Sequence, residues 1–81
     1  MEKFTLINKA MSRIKVFEPF EDRSKNSFFF NAILISYGSV FKRSSKPFMK
    51  GSRIESIEGA RNEYKKLLEE GWEKTYRFNS F

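Results

Sequence analysis

Ser56-Ile57-Glu58-Gly59-Ala60-Arg61-Asn62-Glu63-Tyr64-Lys65-Lys66-Leu67-Leu68-Glu69-Glu70-Gly71-Trp72 is the stretch that decides the fold class. Ile57, Ala60, Tyr64, Leu67 and Leu68 recur at helical spacing and share one face, so the stretch is an amphipathic α-helix over about 56–70. Ser56 is placed to cap it by accepting from an otherwise unpaired amide, and Glu58 suits the positive end of the helix dipole. Gly71 stands where a left-handed residue closes a helix, with Trp72 folding back on the last turn as a Schellman ending requires. Gly59 in the first turn and Glu69 and Glu70 at the negative end run against propensity and dipole, but the periodicity outweighs them.

Upstream, the period changes from helical to alternating. Arg13-Ile14-Lys15-Val16-Phe17 reads as a half-buried strand that stops at Pro19, and the polar run Glu21 to Ser27 reads as a loop. Phe28 to Ser36 is rich in aromatic and β-branched residues and reads as strand. Tyr37-Gly38 is then a two-residue hairpin turn, with Ser39 to Arg43 as the return strand. Phe4 to Ile7 is either a further strand or part of an N-terminal arm over 1–11, and Trp72 to Phe78 supplies a last short strand. The expected fold is α+β: a small antiparallel sheet of three to four strands with one C-terminal helix packed on one face, in a single domain spanning 1–81.

Composition limits the chemistry. The chain has 81 residues with no His and no Cys, which removes disulfides, thiolate nucleophiles, imidazole bases and the common zinc sites. The expectation is a non-catalytic protein with no cofactor and no metal site. The carboxylate pairs Glu21/Asp22, Glu55/Glu58 and Glu69/Glu70 read as solvated surface. Lys50-Gly51-Ser52-Arg53 reads more readily as a polar turn than as a phosphate cradle. The longest apolar stretch, Phe28 to Phe41, is interrupted by Asn31, Ser36, Gly38 and Ser39 and falls short of the roughly 20 residues a membrane helix needs. Met1 to Ile14 has no signal-peptide pattern, and the lack of Cys fits a cytoplasmic location.

Charge is unevenly placed. The net charge is +6. Residues 23–54 hold seven cations and no carboxylate, whereas 1–22 sum to zero and 55–81 to minus one. Within that middle third, Lys42, Arg43, Lys46, Lys50 and Arg53 alternate with Phe48 and Met49, so one surface offers both positive charge and apolar contact. The function expected is binding to an anionic surface, an acidic protein or complex first and nucleic acid through the same 42–53 patch second. The Phe28 to Ile35 strand is apolar on both faces. One helix covers one side of a sheet, so the other face needs the N-terminal segment, sheet curling, a second copy or another protein to cover it, internal and partner cover weighing equally. Phe29, Ile33 and Ile35 are the candidate face for a partner or for a homodimer.

Ala60-Arg61, Tyr64, Leu68 and Gly71-Trp72, with Ile33-Leu34-Ile35-Ser36-Tyr37-Gly38 and the basic loop after it, resemble the pattern of a family of very small uncharacterised proteins from marine picocyanobacteria. The likeness runs from about Phe17 to Trp72, and Tyr64 stands where that family often has Trp. The family has no assigned activity, so the resemblance implies a bacterial cytosolic setting and carries over no site residues.

Overall fold

The computed structural model describes residues 3–20, 32–41 and 46–76. Within them, β1 (Phe4–Ile7), β2 (Arg13–Phe20), β3 (Ala32–Ser39) and β4 (Phe48–Ser56) form an antiparallel meander. Helix α1 (Ile57–Glu69) follows directly, and β5 (Glu73–Thr75) returns to pair antiparallel with β1. The sheet order is β4-β3-β2-β1-β5. The α+β class therefore holds, with five strands instead of three to four.

The helix ends follow from the local sequence. Ser56 leaves β4 in an extended conformation and its hydroxyl accepts from the Gly59 amide at 2.9 Å, so one residue serves as both strand end and N-cap. At the other end Gly71 takes φ +96. Its amide donates to the Leu68 carbonyl at 3.1 Å, and the Trp72 amide donates to the Leu67 carbonyl at 3.0 Å. That pair of bonds is a Schellman motif.

The strand boundaries differ more. Tyr37 and Gly38 are not a turn: β3 runs through both to Ser39 and pairs with β4. The register shifts between Tyr37 and Gly38, which leaves Lys50 as the extra residue of a bulge in β4. Gly38 is required there, because a Cβ would lie 2.5 Å from the Phe48 carbonyl oxygen and 3.0 Å from Met49 Cα. β2 also continues through Pro19 to Phe20. Among the described residues its pairing with β1 ends at Phe17, so Pro19 stands where β2 is paired on the β3 side only, a position that tolerates a missing N–H.

Register assigns the faces. Phe4, Leu6, Phe17, Ile33 and Ile35 share the face under α1, where Ala60 and Leu67 complete a buried cluster. Phe4 and Phe17 stack with ring centroids 5.1 Å apart, and Tyr64 meets Phe4 edge-on at 5.2 Å. Ile57, Tyr64 and Trp72 pack half-buried against the cluster. Leu68, expected on the apolar face of the helix, is exposed.

The opposite face has its own buried strip of Thr5, Ile7, Ile14 and Val16, with Val40 packed on it. Ile33 and Ile35 are 1% and 0% exposed beneath α1. They belong to the covered face and offer nothing to a partner or second copy, which corrects their reading as a docking face. Phe29 lies outside the described residues.

The same registers fix the path of α1. Ser56, where the helix begins, stands opposite Ala32, which stands opposite Phe20; Glu73, where the chain rejoins the sheet, stands opposite Ile7, which stands opposite Ile14. The helix therefore runs corner to corner across the sheet, from the end of β4 to the start of β5, and leaves the other two corners of that face open.

Candidate binding surfaces at the two open corners

The first open corner lies where the bulged part of β4 meets β3. It is a cleft of about 550 Å³ lined by Arg13, Lys15, Tyr37, Lys50 and Arg53 from the sheet, with Leu67, Glu70 and Trp72 closing it from the end of α1. Four cations converge there, but two of them are tied to α1. The Arg53 guanidinium donates to Glu63 Oε1 at 2.6 Å, and its Nε lies 3.8 Å from Glu55 Oε2. Lys15 Nζ lies 3.7 Å from the same Glu63 oxygen and 5.8 Å from the Trp72 ring centroid. Each such contact contributes about 0.2–1 kcal/mol, and Glu63, with its side chain 22% exposed, stands toward the upper end. Lys50 makes no ion pair among the described residues.

The cations and apolar residues read from the sequence are thus only partly brought together. Arg53 works as a strap between β4 and α1. Lys50 sits on the bulge and lines this cleft as well as a groove on the opposite face beside Met49. Lys46 is exposed just before β4. Lys42 and Arg43 lie outside the described residues. Phe48 is 62% and Met49 37% exposed, so neither points into a core. By register Met49 and Ile54 share the face away from α1, and Phe48 sits on the helix side. Ile54, which the sequence did not single out, is exposed too. Among the described residues β4 pairs only with β3, so it is a nine-residue edge strand carrying three exposed large apolar side chains.

The second open corner lies over β1 and β2. Phe4, Phe17 and Tyr64 wall an apolar pocket of about 310 Å³, floored by Ile33 and Ile57. Arg61, Lys65 and Lys74 stand on its rim, with no carboxylate among the described residues that line it. Lys74 Nζ lies 5.2 Å from the Phe4 ring centroid. Sequence reading missed this corner because its cations are interspersed with glutamates along a segment of net negative charge. The available signal was helical: Arg61 and Lys65 are one turn apart, on the flank shared with Ile57 and Leu68.

Among the described residues no helix is long and apolar enough to cross a membrane, and no group of three or more acidic residues, His or Cys is placed to hold a metal ion. Comparison with protein-family models, curated proteins and solved structures found no match.

Proposed function

We infer that the protein is a non-catalytic interaction module, acting in a cytosolic setting, whose β4 edge receives an extended acidic segment of another protein. The observation that supports this reading most is the composition of that edge: among the described residues, Phe48, Met49 and Ile54 are exposed beside Lys50, which makes no ion pair, on a strand paired on one side only. Long edge strands are ordinarily protected from pairing, and exposed apolar side chains on one mark a place where another chain adds. Backbone pairing would supply affinity, the apolar side chains anchorage, and Lys50 with the basic residues before β4 the preference for acid. A free strand edge favours a polypeptide over nucleic acid, since nucleic-acid binding would leave that edge unused. The bulge at Lys50 interrupts the ladder between Met49 and Gly51 and leaves Gly51–Ser56 as the longest unbroken stretch, which sets the register.

The test is a titration of the ¹⁵N-labelled protein with an extended peptide of alternating Glu and Val, and in parallel with single-stranded oligothymidine. Saturable peptide binding with amide shifts centred on Gly51–Ser56, weakened about tenfold by Lys50→Glu or Phe48→Ser, is the expected result. Oligothymidine binding with a slope of log K against log salt near about −3 to −4, and no peptide binding, would transfer the patch to nucleic acid. A dimer in sedimentation that the same two substitutions dissociate would assign the edge to a second copy of the chain.

A further inference from the structure

The geometry points to a second, separate site: the aromatic corner between α1 and β1 binds a small amphipathic anion, an apolar tail or ring bearing a carboxylate or phosphate head. This inference does not depend on the β4 reading. The pocket walls are Phe4, Phe17 and Tyr64, and its volume of about 310 Å³ lies at the low end of small-molecule sites, which run from about 300 to 1,000 Å³. That suits one medium-length chain or a small ring system and excludes a large cofactor.

The rim decides the head group. Arg61, Lys65 and Lys74 converge on the mouth from two different elements, α1 and β5. None of them makes an ion pair among the described residues. Glu58 and Glu69 are one turn from Arg61 and Lys65 along the helix, yet neither is within ion-pair distance. The sheet cations on the other flank of the same helix are met by Glu63, so a carboxylate is supplied where the fold needs one. On this flank the like charges of Arg61 and Lys65 stand one turn apart and repel each other. Lys74 holds its ammonium over the face of Phe4, at the boundary between aromatic wall and solvent. An anion at the mouth relieves that repulsion while its apolar part covers the half-buried faces of Phe4 and Tyr64. A neutral ligand gains only the second effect and a cation is repelled.

Decanoate, decyl phosphate and decyltrimethylammonium, each below its micelle concentration, and decanol below its solubility limit are the probes. Binding is read by calorimetry and by ¹⁵N amide shifts on the full chain. Decanoate or decyl phosphate should bind at one per chain with shifts centred on Phe4, Tyr64 and Lys74, and the stronger of the two identifies the natural head group. Decanol should bind at least tenfold more weakly and the ammonium compound not at all. Arg61→Glu and Lys74→Glu, both at exposed positions and each checked for the native fold by circular dichroism, should lower decanoate affinity tenfold or more, whereas Lys50→Glu should leave it unchanged. Unsaturable uptake, equal affinity for all four heads, or shifts centred on Lys50 would overturn the assignment. Loss of peptide binding at β4 with decanoate binding intact would strike down the edge-strand reading alone.

Discussion

The two open corners differ in one respect above all: whether the helix answers the charges beside it. At the β3–β4 corner, Glu63 reaches down to Arg53 and Lys15 and binds α1 to the sheet. At the β1–β5 corner the helix adds Arg61 and Lys65 to the charge of Lys74, over a wall of aromatic rings. A single diagonal helix thus makes one corner that is cross-linked and mixed in charge, and another that is apolar inside and uniformly basic at its rim. The lesson is that net charge along the chain is a poor guide to net charge in space. The basic third of the sequence supplies Arg53, which is neutralised, while the nominally acidic third supplies three cations that meet no carboxylate among the described residues.

The largest effect should come from Phe17→Ala, which removes the shared wall of the aromatic corner and a residue only 1% exposed. A loss of about 3–5 kcal/mol is expected. Against a total stability of roughly 4–12 kcal/mol for a chain of this length, a urea titration should show a large fall in the midpoint or loss of the cooperative transition. Next, Gly38→Ala forces a methyl group against the β4 backbone at the other corner and should cost about 1–3 kcal/mol, with hydrogen exchange accelerating in β4 before β1.

Glu63→Gln then tests the cross-link itself. It should cost about 1 kcal/mol, make stability less sensitive to salt, and strengthen binding of an acidic peptide by freeing Arg53 and Lys15. Smallest, and of opposite sign, Arg61→Glu gives the aromatic corner the kind of ion pair its counterpart has. A pair with Lys65 in the favourable i,i+4 order should stabilise by about 0.2–0.5 kcal/mol, seen as a slightly raised melting temperature. If Glu63→Gln and Arg61→Glu instead shift stability in the same direction, the two corners are not distinct electrostatically.

How much of this was legible in the sequence depends on where each residue sits in the fold. Helix α1 was readable from cap to cap because Ser56 and Gly71 act through local backbone geometry that needs no tertiary partner. The central part of β2 was readable because it alternates between a buried and a half-buried side. β4 was not, because it is an edge strand exposed along most of its length, and a strand that buries neither face carries no period-2 signal. Gly38 was misleading for a related reason: a glycine demanded by the close approach of a bulged neighbour looks, in one dimension, like a glycine demanded by a turn. Ile33 and Ile35 were assigned to one face correctly, but which face α1 covers is set by the register with β2, and nothing local to β3 encodes it. The pairing of Arg53 with Glu63 was hidden for the same reason, since α1 brings Glu63 over β4 only once the helix has crossed the sheet.

β5 joins β1, so Thr5 waits for Thr75. The meander can assemble in the order the ribosome delivers it, but the outer edge of β1 stays without its partner until the helix has emerged and turned at Gly71. At roughly 5–20 residues per second that interval lasts several seconds, during which Phe4 and Leu6 have β2 on one side but neither the helix above them nor β5 beside them. Among the described strand pairings the closing contact is the longest in sequence, so ring closure of the chain rather than helix formation should limit the folding rate.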